Sequence, residues 1–173
     1  FSGNAAAQYG GAVENNNGSN STLTNCTFSG NSSLSLGGAI ANHVSNISLN
    51  NCIVWNNKDS GGIGTSTSSV FNNDVVSYSH SLLQGLSPAG TGNLDGTTSS
   101  NDPLFETPFS AGTDGIWASY DDVSEIWSGM VDNVLGDYQL QSGSAAVDRG
   151  DYTVDLDGAA AGTETMVSIS KDL

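Results

Sequence analysis

Basic residues are nearly missing from this chain: Lys and Arg number 3, against 18 Asp and Glu, in 173 residues. Lys58, Arg149 and Lys171 are too scattered to form a patch. The net charge of −15 argues against nucleic acid and anionic membrane surfaces, since both need clustered Lys and Arg. Long hydrophobic runs are absent as well. No apolar stretch approaches the ~20 residues of a membrane span, and no signal peptide is visible, so no membrane insertion is expected. The 2 cysteines are too few for a disulfide framework and decide nothing about compartment. Acidity by itself would fit a disordered chain, but 36% of the residues are hydrophobic and the sequence repeats.

The repeat is the main organising feature. Phe1-Ser-Gly-Asn4 returns as Phe28-Ser-Gly-Asn31, and Gly10-Gly11-Ala12-Val13 as Gly37-Gly38-Ala39-Ile40. Asn25-Cys26-Thr27-Phe28 returns as Asn51-Cys52-Ile53-Val54, and Gly61-Gly62 follows as a third Gly-Gly pair. A recurring unit of this size implies stacked repeats, each burying its apolar face against the next. Alternating runs around Leu23, Cys26 and Phe28, and around Ile47, Leu49, Cys52 and Val54, read as short strands bounded by turn residues. The expected fold is all-β: a right-handed parallel β-helix with an irregular C-terminal cap containing one short α-helix. Residues 1–84 form the regular coils and residues 85–173 the final coils and cap of the same domain. Because the chain opens in mid-repeat, earlier coils of a longer parent are expected before Phe1.

In such a fold, like positions stack. Cys26 should lie near Cys52, buried and unbonded, and Phe28 near Val54 and Phe1. Asn4, Asn31 and Asn56 should share one corner, and Asn25 and Asn51 another. Gly-Gly serves a sharp corner. A fourth coil over 74–83 places Val76, Tyr78 and Leu82 inward. Residues 117–135 instead carry Tyr120, Val123, Ile126, Trp127, Met130, Val131 and Val134 at steps of three and four, a helical stripe. That helix, with the segment from Asp102 to Phe105, should cover the last coil and its inward stack. Ala145-Ala-Val147 should be extended.

These motifs resemble a family of secreted bacterial β-helix proteins. Cys26-Thr-Phe-Ser-Gly-Asn31 followed by Gly37-Gly-Ala-Ile40 is similar to repeats of polymorphic outer-membrane-protein-like surface proteins. Four further segments follow the order of the C-terminal module called choice-of-anchor Q: Val76-Ser-Tyr-Ser79, Asn101-Asp-Pro-Leu-Phe105, Tyr138-Gln-Leu-Gln141 and Ala146-Val-Asp148. Asp155-Leu-Asp-Gly158 also matches, and residues 123–136 look inserted. The resemblance implies a non-catalytic stalk, adhesin or passenger segment, secreted or displayed at the cell surface. Its partners would be the rest of a longer parent chain at the N-terminal end, and surface glycans or proteins.

Candidate chemistry is sparse. A Ser-His-Asp arrangement around His80 has no nucleophile-turn motif behind it. A hydrolase needs two carboxylates ~5–10 Å apart, and residues 1–73 offer only Glu14 and Asp59. An active groove in earlier coils, of lyase or glycosidase type, is the alternative function. No cofactor is required. Oxygen-rich acidic loops suit calcium, and the candidate ligands are Asp114, Asp121 and Asp122, followed by Asp148, Asp151, Asp155 and Asp157. Neither group fits the EF-hand or nonapeptide pattern, and solvated surface charge is the competing reading.

Overall fold

The computed structural model describes residues 1–108, 110 and 136–147. Their architecture is all-β with very little helix. The strands are β1 Ala5–Ala6, β2 Val13–Asn15, β3 Asn20–Thr24, β4 Thr27–Ser29, β5 Ser32–Ser33, β6 Ile40–Asn42, β7 Asn46–Asn50 and β8 Ile53–Trp55. They continue as β9 Lys58–Asp59, β10 Gly62–Ile63, β11 Val70–Asn72, β12 Val75–Ser79, β13 Leu82–Leu83, β14 Phe105–Thr107 and β15 Asp137–Leu140. A single turn of helix, α1, spans Ser66–Ser69, with the Thr65 hydroxyl accepting from the Ser68 N–H as its N-cap.

Apart from β9–β10 and β14–β15, strands pair with their counterparts in the next repeat and not with their sequence neighbours. Three sheets are wholly parallel, in the orders β11-β6-β2, β12-β7-β3 and β13-β8-β4. A fourth, β1-β5-β9-β10, is parallel except for its last pair. The strands β1, β2, β3 and β4 thus all lie at the same end of their sheets. β14 and β15 make a separate antiparallel pair.

The register aligns like residue types, as the repeat predicts. Phe28 pairs with Val54, and Val54 with Leu83; Val13 pairs with Ile40, and Ile40 with Val70; Leu23 pairs with Leu49, and Leu49 with Tyr78. These side chains meet in one core whose centre (Phe28, Ile40, Ile47, Leu49, Val54 and Leu83) is fully buried. Phe1 stacks on Phe28 with centroids 4.6 Å apart and rings 6° from parallel.

Asparagine fills the corners. Asn4 donates its amide to Asn31 Oδ1 at 2.8 Å, and Asn31 donates to Asn57 Oδ1 at 2.9 Å. A second ladder runs from Asn15 to Asn42 at 2.6 Å and from Asn42 to Asn72 at 2.7 Å. The expected third rung at Asn56 is corrected to Asn57. The strand register between Ser29 and Trp55 is 26 residues, so Asn56 falls opposite Gly30 instead and shares its left-handed backbone, with φ of 58° against 68°. Asn25 and Asn51 do share a corner, with φ of 56° and 53°, and His80 continues it at 49°.

The first two Gly-Gly pairs behave as expected, but the third does not. Gly10 and Gly37 have φ of +61° and +73°. A Cβ on Gly38 would run into the Lys58 main chain, so the second glycine of the pair is required by close approach. Gly61-Gly62 turns a short hairpin between β9 and β10, with the Gly61 N–H bonded to Asp59 Oδ1 at 2.8 Å. The residues that lie against Gly37-Gly38 are Thr67 and Ser68 of α1, whose carbonyls accept from the Gly37 and Ala39 N–H groups. The only α-helix among the described residues is therefore α1, inside the repeats, where none was expected; a 3₁₀ turn lies at Ser99–Asn101. The helix expected over 117–135 lies outside the described residues.

Leu82 does not point inward. Along β8 and β13, Val54 and Leu83 enter the core, whereas Trp55 and Leu82 face the other side, with Ile53 packed beside them. There they meet Phe105, Tyr138, Leu140 and Ala146, and Phe105 and Tyr138 sit edge to face at 5.1 Å. The β14–β15 pair thus covers the outside of β8 and β13; the helix and most of the expected cap lie outside the described residues. Residues 145–147 form a turn, with the Val147 N–H donating to the Ser144 carbonyl, and are not extended.

Candidate functional site

All seven candidate calcium ligands (Asp114, Asp121, Asp122, Asp148, Asp151, Asp155 and Asp157) lie outside the described residues. Among the described residues, no group of three His, Cys, Asp or Glu side chains is placed to hold a metal ion.

The sequence-level candidates for chemistry are dispersed. Glu14 is exposed on β2 and Asp59 is buried on β9, in different sheets. His80 sits in a left-handed turn with Nδ1 2.9 Å from the Ser79 hydroxyl. His43 packs between Tyr9 and Phe71, at 4.8 and 5.1 Å between ring centres. Among the described residues no carboxylate is hydrogen-bonded to either histidine. Cys26 and Cys52 are both free thiols, and Cys52 is buried. Cys26 is only half-buried, contrary to the expectation for it. Burial pushes the Cys52 thiol up to about 11, away from the thiolate that nucleophilic or metal chemistry needs.

One concave site emerges from residues distant in sequence. A groove of about 370 Å³ runs between the end of β8, the turns at Gly64 and Gln84-Gly85, the loop 96–99 and Asp102. Trp55 projects to it from the outer side of β8, its rings held against Leu82 and Phe105. Trp55 is 9% exposed, and among the described residues no group accepts a hydrogen bond from its indole N–H. Gln84 follows β13 directly, and its Oε1 accepts the Asn56 N–H at 2.7 Å. That contact spends the amide oxygen and leaves the NH₂ as a donor.

The far wall is an Asp/Thr/Ser loop. Asp95 Oδ1 accepts from both the hydroxyl and the N–H of Thr97, at 2.6 and 2.9 Å. Those bonds hold the Asp95 carboxyl below the usual carboxylate range. Asp102 Oδ1 accepts the Leu104 N–H at 2.8 Å. Thr97, Thr98 and Ser99 complete the rim, and among the described residues no basic side chain lines the groove. Donors, acceptors and hydroxyls line this groove, an arrangement that can hold a polar ligand.

No protein-family model, curated protein or solved structure gives a significant match to the chain. No helix among the described residues is long and apolar enough to cross a membrane.

Proposed function

We propose that this chain is a non-catalytic structural and adhesive segment of a large secreted or surface-displayed bacterial protein, built as a right-handed parallel β-helix. The observation that carries the reading is the pairing of strands across repeats. Four ladders join each strand to its counterpart about 26–30 residues away, with matching asparagines and apolar residues in register. A single winding chain with three or four short strands per turn gives this pairing. Parallel strands connected within one structure are right-handed in nearly all cases, which supports that hand.

In this reading the outer main-chain groups of β1, β2 and β3 are the ones that further repeats of a longer parent chain would pair. The resemblance to polymorphic outer-membrane-protein-like repeats and to the choice-of-anchor Q module supports the bacterial, extracellular setting. The scarcity of carboxylate pairs and of basic residues supports a scaffold over a lyase or glycosidase.

Two measurements test the proposal. A crystal structure should show continuous right-handed winding, and left-handed winding or separate sheets would refute the architecture. The purified chain should adhere to cell surfaces or extracellular polymers yet release no reducing or unsaturated sugar ends from a polysaccharide panel. Release of such ends would replace the adhesive reading with the carbohydrate-active one.

A further inference from the structure

We infer that the groove walled by Trp55, Gln84 and Asp102 binds a unit of an uncharged saccharide. The inference rests on the adhesive reading above and adds a ligand class and a location to it. Trp55 is 9% exposed and lines this groove; its indole N–H is not one of the enclosed polar atoms left unpartnered, and no described residue accepts from it, so it stays open to a ligand. A ligand hydroxyl in the groove would supply that acceptor.

The remaining lining selects the ligand. Gln84 offers an amide NH₂, because its oxygen already accepts the Asn56 N–H. Asp102 offers carboxylate oxygen, and Thr98 and Ser99 offer hydroxyls that can donate or accept. That mixture matches a ligand whose groups both donate and accept, as sugar hydroxyls do. Among the described residues no Lys, Arg or His lines the groove, so phosphate, sulfate and uronate ligands would meet Asp102 without a counter-charge from them. A nucleobase or other flat aromatic ligand is disfavoured as well. Trp55 belongs to one buried cluster with Leu82 and Phe105, which leaves little of the indole for a flat ligand to stack on. Gly64, Gly85 and Gly96 allow main chain to approach closely: a Cβ on Gly85 would crowd Gly64 and Thr65, and one on Gly96 would strike the Leu83 carbonyl.

The test uses the full chain with neutral hexose and N-acetylhexosamine oligomers, read by calorimetric titration and saturation-transfer NMR. At least one neutral oligomer should bind saturably. Trp55→Phe keeps the packed ring and removes the N–H, and should weaken binding roughly three- to tenfold, the value of one hydrogen bond. Thr98→Trp fills the groove from an exposed position and should abolish binding. Thr22→Trp, on the exposed face of β3, should leave binding unchanged. If no neutral oligomer binds, or if sulfated or uronate oligomers bind more tightly, the inference falls. If a neutral oligomer binds wild type and Thr98→Trp equally, the groove assignment falls while the adhesive reading stands on its own cell-binding assay.

Discussion

Replacing Asn31 by alanine should be among the most damaging single changes in this molecule, although the residue is polar and carries no catalytic chemistry. Its side chain is fully buried. Oδ1 accepts from the Asn4 N–H and amide at 3.1 and 2.8 Å, and Nδ2 donates to Asn57 Oδ1 at 2.9 Å and to the Phe1 carbonyl at 3.2 Å. The partners differ in what water can do for them. Asn4 is exposed and can hydrate after the mutation. Asn57 is buried, and its oxygen would retain only the Asn31 N–H, at 2.9 Å. A net bond is worth about 1 kcal/mol, and a buried group left short costs about 1–3 kcal/mol. We therefore expect Asn31→Ala to lose about 2–4 kcal/mol. The control is Asn20→Ala, whose oxygen accepts from Asn46 at 2.7 Å in an exposed pair; it should cost about 0.5 kcal/mol or less. Urea unfolding followed by circular dichroism resolves the two, because a slope of roughly 2 kcal/mol/M turns the larger loss into a midpoint shift of about 1–2 M. Equal losses for the two variants would refute the argument that the buried ladder, and not asparagine composition, stabilises the stack. Asn31→Asp sharpens the test. Its carboxylate would face Asn57 Oδ1 with no proton between them, so burial and repulsion would raise its pKa above the ordinary ~3.9. The folded state then holds the proton more tightly than the unfolded one. The variant's relative stability should be greatest below about pH 4 and fall as pH rises through the folded pKa.

Val44 adopts φ of 48° while 67% exposed, a left-handed conformation costly for a β-branched residue; Asn17 holds the matching turn at 58°. Val44→Asn should raise stability by about 1 kcal/mol in urea unfolding, and a loss would contradict the strain assignment. Gly38→Ala should cost about 3 kcal/mol or prevent folding, because the methyl meets Lys58 main chain that cannot rotate away; a near-neutral thermal melt would show that the stack yields there. The Cys52 thiol, raised from 9.0 to about 11 by burial, is kept protonated by the fold. Its contribution to stability should therefore be complete below pH 9 and disappear as pH rises toward 11, which Cys52→Ala should remove from the alkaline unfolding profile. Thiol titration should find Cys26 modified faster than Cys52 in the native protein and two free thiols after unfolding without reductant; none would reveal a bridge.

Much of the all-β fold was legible because the repeat reports register directly. A match of Phe28 to Val54 or Val13 to Ile40 needs no knowledge of the surroundings. What misled was local degeneracy. Asn56 and Asn57 are adjacent and identical in type, so only the main-chain ladder could say which one turns and which one joins the stack. Gly61-Gly62 copied the composition of the earlier corners while serving a hairpin. Thr67 and Ser68 took the corner with residues that carry no glycine signature. Leu82 and Leu83 posed the same problem in apolar form. A strand buried on both sides shows no alternation, and β13 is covered outside by the β14–β15 pair, whose first strand lies more than twenty residues downstream. The groove was illegible for a related reason. Trp55, Gln84, Thr98 and Asp102 share no spacing and converge only after the turns are in place.

The two buried asparagine ladders also give the stack a sense of direction. In both, the first two residues donate toward the C-terminal repeat, and the last two accept from the N-terminal one. Neighbouring main chain forbids the reverse orientation: the Asn4 and Asn31 N–H groups need oxygen from the next rung, and the Ser45 and Asn46 carbonyls need NH₂ from Asn42 and Asn15. The amide dipoles therefore point the same way and add, as peptide dipoles do in a helix. The β1–β4 end offers acceptor oxygen, and a unit joining it must arrive with donors. Two molecules meeting by that end would set oxygen against oxygen. The symmetric dimer through that end is therefore disfavoured by the same side chains that hold the interior together, while at the opposite end the Asn57 and Asn72 amides are turned back onto their own main chain.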